Sequence, residues 1–394
     1  MNVWKVNLIS AWFGCFLTGL AMSQILPFLP LYIETLGVKG HSSLNLWSGL
    51  VFSGMFFVSA MVSPLWGSLA DRKGRKLMLL RASLGMAVAT ALQGMVNQVW
   101  QLFALRALMG LASGYIPNAM ALIASQAPRD KSGWALGMLS TGQITGMIGG
   151  PLFGGMMADH LGLRMIFYVT SGMMFINFLL TLLLIKERHD GVGKTERFSG
   201  KRGIQSLPQP MWVVSLFICT LMIQLANSSI SPILTLFIRA LACNTGNIAF
   251  ISGMIAAAPG IAALVSAPHF GRLGDRIGAV RILIAALLLT AVLLSAMACV
   301  RTPLQLGVLR FLLGFADGAL MPALQTLLLQ SSSEQTTGRI FGYNQSFMYL
   351  GNVCGPLLGA GVSALAGYRW VFVMTSIIVM ANVWQLYRQL QKRE

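Results

Sequence analysis

One carboxylate sits where a carboxylate is costly. Asp317 lies within 304–330, an otherwise apolar stretch whose only other charge is Arg310. Seven residues apart, the two share a helix face but are separated by roughly 10 Å along its axis, too far for a close pair unaided. An isolated acid in such a place can load and release a proton near neutral pH. Paired with an arginine of another helix, the same acid would be structural instead. Arg106 is the matching cation of the stretch 100–126. At such depth a cation costs a few kcal/mol on insertion scales, so it faces a partner or water, or it snorkels to the headgroups. A polar face follows in 211–238, where Gln224, Asn227, Ser228 and Ser231 fall three, four and seven residues after the first of them. With Gln24 ahead of Pro27 and Asn118 behind Pro117, these groups are either ligand-binding or interhelical glue.

The elements that position them are membrane spans. Only 10% of residues are charged and 56% are hydrophobic. Apolar runs of about 20 residues, each long enough to cross a bilayer core, recur at 8–33, 46–70, 77–96, 100–126, 133–158, 164–186, 211–238, 247–270, 280–300, 304–330, 338–363 and 369–388. The chain is therefore an all-α membrane protein of twelve transmembrane helices. The net charge of +17 resides in short loops, which suits lipid headgroups and not nucleic acid. Lys5, Arg72, Lys73, Arg75, Lys76, Arg81, Lys131, Arg272, Arg276, Arg281, Arg339 and Arg388 all fall on one side. The positive-inside rule makes that side, and both termini, cytoplasmic. The five cysteines are scattered and form neither a metal spacing nor a disulfide framework. No enzyme constellation and no phosphate loop is present, so no cofactor and no metal is expected.

The densest charge is the knot Gly67-Ser-Leu-Ala-Asp71-Arg72-Lys-Gly74-Arg75-Lys between two spans, repeated as Gly271-Arg-Leu-Gly-Asp275-Arg-Ile-Gly278. Gly67 and Gly74 suit close approach and tight turning, and Asp71 suits capping of the following helix. Arg339 is a candidate partner for Asp71, and Asp130 for Arg75. The repeat is global: Asp71 and Asp275, Arg106 and Arg310, and Gly114 and Gly318 are each 204 residues apart. Two six-helix halves follow, 1–186 and 211–394, joined by a polar linker at 187–210. In 133–158, Gly142, Gly146, Gly150 and Gly154 are four apart, with Pro151 and Gly155 beside them. Such a stripe admits a neighbouring backbone in lipid. It is either a static packing face or a bending seam between the halves.

These motifs resemble those of the major facilitator superfamily. The charged knot is similar to its loop signature, Leu105-Arg106-x3-Gly110-x3-Gly114 to its fourth-helix arginine motif, and Gly142-x3-Gly146-x3-Gly150-Pro151-x2-Gly154-Gly155 to the fifth-helix motif of its twelve-helix drug/proton antiporters. The resemblance covers essentially the whole chain. It implies a pseudo-symmetric bundle of two halves that rock against each other, with the first, fourth, seventh and tenth helices lining a central cavity. It also implies that the knot gates and that Arg106 takes part in proton coupling. On that basis Gln24, Asn118, Gln224, Asn227, Ser228 and Ser231 are the expected cavity groups. Asp317, Arg106, Arg310 and Glu34 are the expected proton-coupling groups. Many such antiporters carry an acid inside the first helix, whereas here none lies between Lys5 and Glu34. Coupling then rests on Glu34, on Asp317 alone, or on another route. The implied function is export of amphipathic compounds across the bacterial inner membrane by a monomer, with protons and lipids as the other partners. A sugar or metabolite exporter, or a non-transporting sensor, is the alternative.

Overall fold

A computed structural model describes residues 3–128, 131–187, 210–242, 247–332 and 336–391, without the side chains of residues 71, 271, 275 and 337–339. Every regular element among them is helical: α1 (Val3–Ile25), a 3-10 turn (Leu26–Phe28), α2 (Leu29–Thr35), α3 (His41–Lys73), α4 (Arg75–Met95), α5 (Val99–Ala112), α6 (Tyr115–Gln126), α7 (Ser132–Leu161), α8 (Leu163–Leu184), α9 (Pro210–Ile230), α10 (Leu234–Leu241), α11 (Ile248–Ile277), α12 (Ala279–Met297), α13 (Pro303–Gln330), α14 (Thr337–Ala366) and α15 (Tyr368–Gln391). Helices are what a bilayer demands, because each backbone polar group must find its partner within the chain. Among the described residues, eleven segments are long and apolar enough to cross a membrane. The remaining expected span is α7, a helix of 30 residues whose glycines and hydroxyls dilute its hydropathy.

Three spans are not the continuous helices the sequence suggested. Pro27 and Pro232 stand where the first and seventh spans break, between α1 and α2 and between α9 and α10. Proline removes a backbone donor and clashes with the preceding turn. The fourth span breaks between α5 and α6 at Ser113–Gly114, where Gly114 has φ 116°.

The charged knot is mostly helix. α3 runs through Lys73, and Gly74 alone, at φ 90°, turns the chain into α4. Gly278 does the same at φ 97° between α11 and α12. Only glycine adopts such a backbone without strain. The expected cap by the Asp71 side chain lies outside the described residues, but another acid is at this helix start. The N–H groups of Arg75 and Lys76 donate to the two carboxylate oxygens of Glu187 at 2.9 and 2.7 Å, and Asp71 lies inside the preceding helix. An acid at a helix N-terminus is favoured both as an acceptor and by the helix dipole. Asn7 fastens the same end: its amide donates to Gln126 Oε1 and to the Lys186 carbonyl, both at 2.7 Å, and its Oδ1 accepts from Lys186 N at 2.9 Å.

Packing sorts the chain into two units. One comprises Met1–Gly40, Leu50–Gly193 and Thr245–Ala257, and the other His41–Gly49, Lys194–Asn244 and Ala258–Glu394. The two short pieces join the unit opposite to their neighbours in sequence. In the second unit His41 and Ser42 bond the Ser363 and Ala364 carbonyls at 2.9 and 3.0 Å, in the last turn of α14. In the first, Phe250 N donates to Asp159 Oδ2 at 2.8 Å. Internally the units repeat bond for bond. Ser171 Oγ donates to the Ala87 carbonyl and Ser376 Oγ to that of Ala291, both at 2.8 Å. Arg164 and Arg369 each donate to a valine carbonyl, Val96 and Val300, at 3.2 Å.

Gly142, Gly146, Gly150 and Gly154 pack on α1 of their own unit, as a static packing face would, while the Pro151 carbonyl and Gly155 meet α11. A Cβ on Gly142 would lie 2.8 Å from the Trp12 carbonyl oxygen, one on Gly146 would strike the Phe16 carbonyl, and one on Gly154 the Gln24 carbonyl. Gly351, Gly355 and Gly359 lie against α9 in the same way. Only Gly155 turns elsewhere, to Ala249 and Phe250 at the start of α11. Gly150→Leu is expected to cost at least about 1–3 kcal/mol through overpacking, because its Cβ would lie 2.7 Å from the Leu20 carbonyl oxygen and 2.8 Å from Gln24 N. Leu183→Phe, at a site 71% exposed, is expected to be silent. Thermal unfolding of the purified variants checks this, and equal tolerance at both positions would contradict it.

Candidate functional site

In the second unit a set of polar groups gathers on α9, α13 and α14. On α9 the residues Gln224, Asn227 and Ser228 are partly buried, as is Ser231 just beyond its end, while the intervening Leu225, Ala226, Ser229 and Ile230 are buried. Asn227 Nδ2 donates to Asp317 Oδ1 of α13 at 3.5 Å. Asp317 is itself partly buried. Arg310, seven residues earlier on the same face of α13, is within electrostatic reach of it, and the Arg310 Nε is buried with no hydrogen-bond partner among the described residues.

Two side chains unnoticed in the sequence complete this set. Asn352 Oδ1 accepts from Ser228 Oγ at 2.7 Å, and Asn344 Oδ1 accepts from Thr220 Oγ1 at 2.5 Å. The signal was available: Thr220 and Ser228 are eight apart on α9, and so are Asn344 and Asn352 on α14. Between them Phe217 contacts the rings of Phe347 and Tyr343, at 5.4 and 6.2 Å between centroids. Hydrogen-bond donors beside aromatic faces suit molecules that are part apolar and part acceptor.

The first unit holds the expected groups differently. Arg106 on α5 is only 2% exposed and does not snorkel. Its Nη1 meets only the Met55 sulfur, at 3.8 Å. Its Nε and Nη2 are buried without partners, and among the described residues no carboxylate is within hydrogen-bonding distance of it. Gln24 is completely buried and bonds Thr170 of α8, which places it in the packed interior and not in an open cavity. Asn118 Nδ2 donates to the Gly114 carbonyl at 2.7 Å, within its own helix start. Glu34 is exposed near the end of α2.

Among the gating residues, Arg72 is exposed, and a Cβ on Gly67 would meet nothing within 4 Å. Gly67 thus makes no close approach, contrary to expectation. Arg75 contributes its backbone N–H to the Glu187 cap. The side chains of Asp71, Gly271, Asp275 and Arg339, and Asp130 altogether, lie outside the described residues, as does most of the expected linker.

A family model described as Major Facilitator Superfamily matches residues 11–251 and again 216–394. The chain belongs to the major facilitator superfamily. Members of this superfamily are membrane transporters of small molecules, and the chain is a multi-pass member. It is 58% identical over 390 residues to "Multidrug resistance protein MdtG" of Escherichia fergusonii, covering 99% of this chain and 96% of that one. It is 60% identical over 379 residues to the protein of the same name from Klebsiella pneumoniae, covering 96% and 92%. Among solved structures, a bacterial homologue of the human lysosomal transporter Spinster shares the fold, with a TM-score of 0.79 at 16% identity over 98% of this chain and 96% of that one. The human organic anion transporter MFSD10 does so at 0.69 and 19%, over 98% and 100%. The superfamily's two-half architecture explains why the same bonds recur in both units. It does not explain why the polar sets of the two units differ.

The α9–α14 pairing can be tested by itself. Asn352→Leu leaves the Ser228 hydroxyl without its acceptor and is expected to cost about 1–3 kcal/mol. Adding Ser228→Ala should restore much of that loss, since both partners are then apolar. Additive losses in thermal unfolding of the single and double variants would show that the two do not interact.

Proposed function

We propose that the protein is a secondary exporter of amphipathic compounds, a multidrug efflux transporter that works by alternating access and is driven by inward proton flow. The support for export is the likeness, over nearly the whole chain, to proteins named for multidrug resistance. The support for proton coupling is one observation: Asp317 is an acid deep in a span, held by an uncharged amide and by no tight ion pair among its described neighbours. The protein sits in the bacterial inner membrane as a monomer, with both termini cytoplasmic, as the cation distribution favours. Its halves, 1–186 and 211–394, are joined by the linker 187–210.

In this reading Asp317 takes a proton when open to the outside and gives it up when open to the cytoplasm. Protonation converts the carboxylate from an acceptor for Asn227 to a group that can also donate. It also removes the charge that Arg310 faces. Drug binding and protonation then compete through Asn227, Ser228 and Asn352, which contact either the acid or one another. Arg106 and Glu34 are secondary groups in the cycle.

The Asp317→Asn variant fixes the neutral form. It is expected to abolish uphill efflux while leaving downhill exchange, and to release no protons when substrate is added to purified protein in weak buffer. Asp317→Glu is expected to retain part of the activity. If the asparagine variant still releases protons and still drives uphill efflux, Asp317 is structural.

A further inference from the structure

The break in the fourth span is held from outside. α5 ends at Ala112 and α6 begins at Tyr115, with Ser113 extended at φ −62° and ψ 170° and Gly114 at φ 116°. Interrupting a helix strips carbonyls of their backbone partners, and in lipid no water replaces them. Arg81 of α4 supplies the partners. Its Nη1 donates to the Leu111 carbonyl at 3.0 Å and its Nη2 to the Ser113 carbonyl at 2.7 Å. Trp66 of α3 backs this fork: the guanidinium carbon lies 3.8 Å from the ring centroid. The indole N–H donates to the same Leu111 carbonyl at 2.9 Å. Ser59, also on α3, donates to the Gly110 carbonyl at 3.1 Å. Gly85, one turn beyond Arg81, lets α4 close on the junction, since a Cβ there would lie 2.8 Å from that of Ala112.

The second half of the chain serves as the control. The tenth span, α13, is one unbroken helix although it contains Pro322. Asp317 and Gly318 stand 204 residues after Ser113 and Gly114. At the same shift, Ser59, Trp66 and Arg81 become Ala263, Phe270 and Ala285, none of which can donate a side-chain hydrogen bond. The break and the three donors are present together in one half and absent together in the other. Glycine alone does not make the break, because both halves have it.

We infer that Arg81, backed by Trp66, is a positioning residue that holds the fourth span open at Leu111–Gly114 and thereby fixes the direction of α5, which carries Arg106. Arginine suits this post because its planar fork reaches two carbonyls at once and its face stacks on an indole. A lysine ammonium is a point donor without that geometry.

The test is hydrogen–deuterium exchange of the purified full chain, which needs no substrate and so stands apart from the export reading. Arg81→Ala is expected to speed exchange of the amides at 112–118 about tenfold, with the tenth span at 307–325 unchanged. Arg81→Lys keeps the charge and the membrane topology, and should give most of the same increase. Trp66→Phe should give a smaller, severalfold increase at the same amides. The double variant Trp66→Phe, Arg81→Ala should exchange no faster than Arg81→Ala alone, because residues acting as a unit are not additive. Wild-type exchange at 112–118 in Arg81→Ala would overturn the inference. So would full protection by Arg81→Lys, or a rise spread evenly over both halves, which would mark Arg81 as a charge or packing residue only.

Discussion

In a bilayer the chain must supply every partner its own polar groups require, and most of this structure follows from that constraint. It makes the elements helices. It also decides what may interrupt them. At the breaks beside Pro27 and Pro232 the proline has no N–H of its own to satisfy, while the carbonyl four residues before it loses that donor. The break at Ser113–Gly114 frees carbonyls, and there Arg81, Trp66 and Ser59 gather. At the membrane surface the same need is met by Glu187, whose two oxygens take the first N–H groups of α4.

The constraint also separates the two halves by chemistry while they keep one fold. Repeated bonds such as Ser171 to Ala87 and Ser376 to Ala291 fix a common framework. Within it, the position of Ser113 in one half holds Asp317 in the other. The first half thereby gains a broken helix and a deeply buried arginine. The second half keeps an unbroken helix with an acid, an amide on that acid and two asparagines on α14. A duplicated scaffold carries a matching arginine in each copy, Arg106 and Arg310, and an acid, Asp317, in the second where the first has Ser113.

Much of this was legible in the sequence. Span number, the 204-residue shift and the polar face of α9 follow from hydropathy and spacing, which are properties of single helices. What spacing could not give is which helix a group meets. The glycine stripe was readable as a close contact, but its partner, α1, was not. Gln24 was readable as an intramembrane polar group, but not as a buried partner of Thr170. Nor could spacing show that Glu187, more than a hundred residues away in sequence, would reach the first N–H groups of α4. Asn344 and Asn352 carry only their eight-residue spacing as a signal, and it becomes meaningful opposite Thr220 and Ser228.

The central claim is that drug movement is coupled to protons through the second half's acid. The most direct measurement uses purified protein in sealed liposomes with an imposed pH gradient, acid inside, and an amphipathic fluorescent dye added outside. The account predicts that dye accumulates inside above its equilibrium level, that this accumulation collapses with the pH gradient, and that alkalinisation of the interior accompanies it. Accumulation that is indifferent to the gradient, or dye movement with no matching proton flux, would contradict it.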